Sequence, residues 1–150
     1  MTDILRKRLI KEEGFRLWPY QDTKGIWTIG VGHNVEADPE MKPRLGDLMK
    51  FGITRTEAYS LLDRDIKNAE TDLEELYPWV SQLNEARREV LVDMMFNMGK
   101  RKLFQFHNTM AMIKDGRFHD AAENLKLSLW YKQVGDRAIN LCRILDAGAV

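Results

Sequence analysis

Residues 12–34 read EEGFRLWPYQDTKGIWTIGVGHN, and this stretch decides how the fold is predicted. Two runs rich in aromatic and β-branched residues, FRLWPYQD and IWTIGVGH, flank the segment DTKG. Asp at the first position and Gly at the last are typical of a β-turn. The stretch therefore predicts a β-hairpin, with Gly30-Val31-Gly32 inside its second strand. It is the only convincing β pattern in the sequence.

Two carboxylates stand on either side of this hairpin. Glu13 ends the predicted first helix and lies one turn beyond Leu9 and Ile10, whereas Asp22 opens the polar turn. Burial favours the protonated form of a carboxyl group, and nearby N–H donors favour the ionised form. A proton donor paired with a carboxylate is what cleavage of a glycosidic bond requires. Spacing alone does not choose between Glu13 and its neighbour Glu12.

The composition is that of a globular domain without a general affinity for polyanions. The chain has 150 residues, 44% of them hydrophobic, and its 23 basic and 23 acidic side chains cancel. We therefore expect no nucleic-acid partner and no stable membrane anchoring. Cys142 is the single cysteine and lies in an apolar run, which predicts a core residue rather than a nucleophile. One Cys and three His without ligand spacing predict no metal site.

Helical patterns account for most of the remaining chain. We expect the first helix to begin at Thr2 or Asp3 and to end at Gly14, a residue suited to the left-handed position after a helix. The segment Thr54-Arg55-Thr56-Glu57 has the form of a capping box and heads a long apolar repeat that Pro78 ends. Asn84 is positioned to cap another helix. Two further helices are predicted over about 118–131 and about 136–146.

Together these patterns predict a single domain over residues 1–150 of the α+β class, predominantly α. We expect a small lobe over about 13–57 that contains the hairpin. A helical lobe would comprise about 77–150 together with the N-terminal helix. A long helix over about 55–77 would join the two lobes.

The same stretch resembles the active-site segment of the phage-type lysozymes, the endolysin muramidases of tailed bacteriophages. That family has a Glu-Gly after the first helix, then Tyr-x-Asp-Thr, a Gly turn, and aromatic-Thr-Ile-Gly-x-Gly-His. Glu13-Gly14, Tyr20-Gln21-Asp22-Thr23, Gly25 and 27–33 meet this pattern in order. The resemblance continues through ITRTEAYSLLDRDI, MMFNMGKRKLFQFHNT, AAENLKLSLWYKQ and DRAIN, and so covers nearly the whole chain.

The resemblance implies roles for individual residues. Glu13, rather than Glu12, matches the catalytic acid; Asp22 matches the second catalytic carboxylate, and Thr28 matches the hydroxyl that helps it to hold water. Arg137 matches a partner of the catalytic glutamate, and it would favour the ionised form that burial disfavours. Four further positions match residues that contact the glycan in the family: Asn34, Phe96, Thr109 and Asn124. His33 is expected to form structural hydrogen bonds, with Asp65 as a possible partner, and lies outside the catalytic set.

The activity implied is hydrolysis of the β-1,4 bond between N-acetylmuramic acid and N-acetylglucosamine in peptidoglycan, with inversion and without a cofactor. Two alternatives stay open: a lytic transglycosylase acting on the same bond, and a peptidoglycan-binding module without activity. We expect a monomer whose partner is the glycan strand. We also expect it to accumulate in the cytoplasm of the producing cell and to reach the wall after membrane permeabilisation. Its zero net charge departs from the basic character of well-known family members.

Overall fold

The computed structural model describes residues 3–150 and confirms a predominantly helical α+β chain. Its strands are β1 (Arg16–Gln21), β2 (Trp27–Gly30) and β3 (His33–Asn34). Its α-helices are α1 (Asp3–Glu13), α2 (Leu45–Phe51), α3 (Arg55–Leu76), α4 (Glu85–Phe104), α5 (His107–Lys114), α6 (Phe118–Lys126), α7 (Leu129–Val134) and α8 (Asp136–Ala147). Short 3-10 helices cover Lys42–Arg44 and Pro78–Gln82.

The chain divides into two compact units, one ending at Lys67 and the other comprising Asn68–Val150. The first unit holds α1, the sheet, α2 and the first part of α3. The second holds the end of α3 and α4 to α8. The role of the long helix as a connection between lobes stays a prediction.

The sheet has the order β1-β2-β3 and is antiparallel throughout. The turn between β1 and β2 is closed by Gly25, whose N–H donates to the Asp22 carbonyl at 2.9 Å, as the DTKG pattern predicts. The prediction of one second strand through Gly32 was wrong. Gly30 and Gly32 both have a φ of +65°, and the chain turns there into the short strand β3. Glycine adopts this left-handed conformation at little cost.

The first unit has its own apolar core beneath the sheet. Ile29 of β2, Leu48 of α2 and Ala58 of α3 are almost completely buried in it. The capping box at the start of α3 is confirmed, because Thr54 Oγ1 accepts from Glu57 N at 3.1 Å and donates to Glu57 Oε1 at 3.1 Å. The burial of Ala58 in the same core as Ile29 places the start of α3 against the sheet that carries the candidate site.

Helix α1 ends where the sequence predicts. Leu5 and Leu9 are buried on one face of it, and Gly14 follows Glu13 with a φ of +82°. Asp3 is already helical, whereas Thr2 lies outside the described residues. Because the helix stops at Gly14, Glu13 is its last residue and faces the segment that follows.

The second unit is helical, and one of its predicted helices is divided. Asn84 Oδ1 accepts from Arg87 N at 3.0 Å and caps α4, as expected. The predicted helix over about 118–131 is in fact α6 and α7, because Ser128 has extended backbone and its hydroxyl caps Tyr131 N at 3.1 Å. Within residues 3–150 no helix has both the length and the apolar character that a membrane span requires.

Candidate active site

Glu13 occupies a different environment from Glu12. Glu12 is exposed, whereas Glu13 is half-buried at the C-terminal end of α1. Gly32, in the turn between β2 and β3, lies directly against the Glu13 side chain. A Cβ added to Gly32 would stand 2.8 Å from Glu13 Oε2 and 3.2 Å from Glu13 Cβ. A glycine at this turn therefore leaves the space in which the carboxyl group of Glu13 lies.

Tyr20, the last residue but one of β1, links the two candidate carboxylates. Burial raises the pKa of the Tyr20 hydroxyl, and the negative charge of Glu13 raises it further. The positive charge of Arg16 lowers this pKa, whereas the negative charge of Asp22 raises it. An ionised group affects a neighbour in this way only at short range, because solvent screens longer interactions. Glu13 and Asp22 therefore lie near the same phenol, although eight residues separate them in the chain.

Asp22 is fixed by its own turn. Its Oδ1 accepts from Lys24 N at 2.8 Å and from Ile26 N at 2.9 Å, and its own N–H donates to the Ile26 carbonyl at 2.9 Å. Among residues 3–150, the structure gives no donor to Asp22 Oδ2. One edge of the carboxylate is thus held by the backbone, and the other is available to a bound molecule.

Thr28 is buried in β2, directly opposite Tyr20 of β1. Its hydroxyl donates to the Ile26 carbonyl at 2.9 Å, which is the same oxygen that accepts from Asp22 N. Because the hydroxyl proton is bound to this carbonyl, Thr28 Oγ1 is left to accept a hydrogen bond from another group. One carbonyl therefore aligns the backbone of Asp22 and the side chain of Thr28.

Asn34 and His33 extend this arrangement along β3. Asn34 is paired with Thr28 across the sheet and is exposed, while its Oδ1 accepts from Ala37 N at 3.0 Å. His33 is buried between two carboxylates, with Nδ1 2.7 Å from Asp65 Oδ2 and Nε2 2.8 Å from Asp38 Oδ2. The expected Asp65 partner is confirmed, and Asp38 is a second partner that the sequence pattern did not indicate.

The other predicted site residues lie in the second unit. Thr109 of α5 is buried and donates its hydroxyl to Asn124 Oδ1 of α6 at 2.6 Å, so the structure brings these two together. Phe96 lies on α4 and is half-buried. Arg137 of α8 is buried, and its Nε donates to Asp93 Oδ1 at 2.9 Å. Its pairing with Glu13 would join the two units and stays a prediction.

The sequence model of the family described as phage lysozyme matches residues 10–143. The chain belongs to the phage lysozyme family. The matched range contains every candidate site residue. The enzyme class predicted from the resemblance, a glycoside hydrolase of the lysozyme type, is confirmed. The family implies peptidoglycan as the substrate.

Similar proteins come from different sources. Probable T4-type lysozyme 1 of Dictyostelium discoideum is 25% identical, over 100% of this chain and 98% of its own length. The endolysin of Salmonella phage P22 is 33% identical, over 91% of this chain and 86% of its own length. The pre-baseplate central spike protein Gp5 of Enterobacteria phage T4 is 28% identical, over 99% of this chain but only 28% of its own length. This chain thus matches the first two relatives over most of their length, and the spike protein over only a part of its length.

Tyr20 and Gly32 are site residues to which the sequence assigned no role. Both belong to the motif that carries the resemblance to the family. The motif marks the two positions, but it does not show which side chains they contact. The contact of Gly32 with Glu13 depends on the turn at Gly30, which the sequence pattern placed inside a strand. The effect of both carboxylates on the Tyr20 pKa depends on how α1 meets the sheet.

Proposed function

We propose that this enzyme hydrolyses the β-1,4 bond between N-acetylmuramic acid and N-acetylglucosamine in peptidoglycan. Glu13 acts as the general acid, and Asp22 together with Thr28 holds the attacking water. The observation that carries this proposal is geometric: Glu13 lies against Gly32 in the turn between β2 and β3, and on the same sheet the Ile26 carbonyl aligns both Asp22 and Thr28. Two carboxyl groups in different local environments at one place are the arrangement that glycosidic cleavage requires.

Glu13 supplies the proton in this scheme. A general acid must be held in a position from which it reaches the leaving oxygen. Glu13 is half-buried and lies against Gly32, whereas Glu12 is exposed. As the glycosidic bond breaks, the proton of Glu13 passes to the leaving oxygen and the glutamate becomes ionised.

Asp22 and Thr28 hold the water in this scheme. The water donates one proton toward Asp22 Oδ2 and the other toward Thr28 Oγ1, which directs its lone pair outward at the anomeric carbon. This use of Thr28 is supported by its hydroxyl proton being bound to the Ile26 carbonyl. As the water oxygen bonds to the anomeric carbon, Asp22 takes the proton that the water loses. Attack from the face opposite the leaving group inverts the configuration.

Digestion of purified peptidoglycan, followed by mass spectrometry and NMR of the released fragments, tests this scheme. We expect fragments that end in a reducing N-acetylmuramic acid, whose first-formed anomer is inverted. Anhydro-sugar ends would instead identify a lytic transglycosylase, and a retained anomer would contradict the role given to water. Wall binding without any release of fragments would identify a binding module.

A further inference from the structure

A surface groove of about 500 Å³ lies along β1, outside the set of residues proposed for catalysis. Aromatic and cationic side chains dominate its lining, which includes Phe15, Arg16, Trp18, Tyr20 and Arg55. Trp18 is 56% exposed, an unusual condition for so large an apolar side chain. Flat aromatic faces beside cations are suited to a ligand that has both apolar ring faces and negative charge.

The position of Trp18 is fixed by the fold. On β1, the residues between Arg16 and Tyr20 bulge away from β2, because Arg16 pairs with Gly30 and Tyr20 already pairs with Thr28. Bulges of this kind redirect side chains and are common beside functional sites. The bulge presents Trp18 outward instead of leaving it in a regular ladder.

The segment after α2 supports the bulge from one side. The Leu17 carbonyl accepts from Ile53 N at 2.8 Å. A Cβ added to Gly52 would stand 3.1 Å from Trp18 Nε1, so the backbone of Gly52 lies directly against the edge of the indole. Trp18 is therefore exposed but held in one place, which lowers the entropic cost of binding a ligand.

Two guanidinium groups lie beside the aromatic side chains without a carboxylate partner. Arg16 lies over the Tyr20 ring at 4.4 Å, and Arg55 lies over the Phe15 ring at 5.0 Å. In the part of the chain from residue 3 to residue 150, neither forms an ion pair. Both charges are therefore available to an anionic ligand.

The groove adjoins the candidate active site through Tyr20. This side chain lines the groove, and Tyr20 stands opposite Thr28 across the sheet and two residues before Asp22. A polymer seated in the groove would lie next to the catalytic carboxylates. This continuity favours the wall polymer over a partner that has no relation to the reaction.

We propose that this Trp18 groove is a second binding surface for peptidoglycan, and the proposal rests on the proposed function. The exposed indole stacks on a sugar ring of the strand, as aromatic side chains do with apolar ring faces. Arg16 and Arg55 pair with carboxylates of the stem peptides. The groove thereby retains the enzyme on an insoluble polymer although its net charge is zero.

Co-sedimentation with purified sacculi tests the proposal in a background that does not digest them. Glu13→Gln is compared with Glu13→Gln/Trp18→Ala, and Glu13→Gln/Leu127→Ala serves as the control because Leu127 is 78% exposed in the second unit. We expect Trp18→Ala to weaken binding roughly 3- to 10-fold, the range for loss of one aromatic contact. Equal binding of all three variants, or no binding by any, would overturn the proposal.

The charged half of the groove is tested by salt. Increasing ionic strength should weaken the binding of the Glu13→Gln variant to sacculi. This salt dependence should be smaller in a variant that carries Arg16→Gln and Arg55→Gln as well. The same proteins are also sedimented with anionic phospholipid vesicles. Binding to vesicles that depends on Trp18 and equals the binding to sacculi would show a membrane-binding surface and overturn the proposal.

A second measurement separates this inference from the proposed function. Here Trp18→Ala is introduced into the enzyme that keeps Glu13, and two constants are measured. The wall concentration that gives half-maximal clearing should rise more than the KM for a short soluble oligosaccharide. If the parent clears sacculi and Trp18→Ala leaves both constants at the parent's values, only the second surface is rejected. If the parent fails to clear them, the proposed function itself is rejected.

Discussion

Gly32 and Glu13 are in direct contact: a Cβ at position 32 would lie 2.8 Å from Glu13 Oε2. The glycine stands in the turn between β2 and β3, and the glutamate is the last residue of α1. Real Cβ atoms do not approach an oxygen this closely, so one group must move if the glycine is replaced. The position of the proposed general acid therefore depends on a residue without a side chain.

Gly32→Ala should reduce activity by displacing the Glu13 carboxyl group. A shift of about 1 Å in a catalytic group costs up to about 100-fold in rate, so we expect a decrease of roughly 10- to 100-fold in kcat/KM. The alanine also adopts a φ of +65°, which should lower the free energy of unfolding by about 1–2 kcal/mol. Initial rates of wall clearing and thermal unfolding measure the two effects.

Gly116→Ala is the matched control for this variant. Gly116 has a φ of +78° and nothing within 4 Å of an added Cβ. It should lose similar stability and keep its activity. Equal loss of activity in both variants would show that backbone strain, and not displacement of Glu13, is the cause.

Thr28→Val should remove the second acceptor for the water while preserving the shape of the side chain. We expect kcat to fall about 10- to 100-fold because the water is then held by Asp22 alone. Thr28→Ser should keep most of the activity, since it retains the hydroxyl. Thr23→Val is the control, because Thr23 is exposed in the same turn. Full activity of Thr28→Val in an oligosaccharide assay would contradict the role of the hydroxyl.

His33 should make stability depend on pH. Burial by itself lowers the pKa of His33, but the hydrogen bonds and charges of Asp65 and Asp38 outweigh it and leave the pKa raised. A raised pKa in the folded state stabilises the fold fully below the unfolded value of about 6.5. This contribution is lost as the pH rises through the folded pKa.

His33→Asn should therefore lower the free energy of unfolding by about 1–3 kcal/mol in mildly acidic buffer and by less in alkaline buffer. Denaturant unfolding over a pH series measures the difference. His119→Asn is the control, because His119 contacts Asp146 on the surface, where solvent weakens the pairing. A loss for His33→Asn that does not change with pH would show that the imidazole contributes only by packing.

Cys142 should be unreactive in the folded enzyme. It is 1% exposed on α8, and burial raises the pKa of its thiol to about 11. Because the thiolate is the reactive form, we expect labelling by a thiol reagent at neutral pH to proceed at the rate of unfolding. Stopped-flow labelling with and without denaturant tests this, and rapid labelling in native buffer would contradict the burial.

Local sequence patterns predicted the elements well where one physical signal was dominant. The capping box at Thr54 and Glu57 identified the start of α3, and Asn84 identified the start of α4. The turn DTKG identified the hairpin because Asp at its start and Gly at its end leave few other conformations. In each case the stabilising contact joins residues close together in the chain.

The errors arose where a glycine or a serine changes the direction of a segment that has uniform composition. Gly30 turns the second strand into β3, and Ser128 divides a helix whose apolar residues continue on both sides. Asp38 was not recognised as a partner of His33, because that contact joins residues that share no pattern. The contact between Gly32 and Glu13 likewise depends on packing between elements, and local periodicity does not encode it.

Clearing of a peptidoglycan suspension by the parent, Glu13→Gln and Glu12→Gln, each shown to be folded, decides which glutamate supplies the proton. The proposed function assigns this role to the half-buried Glu13 and not to its exposed neighbour. It predicts that Glu13→Gln loses essentially all activity and that Glu12→Gln clears the suspension at close to the parent rate. Clearing by Glu13→Gln at a rate comparable to the parent would contradict this assignment.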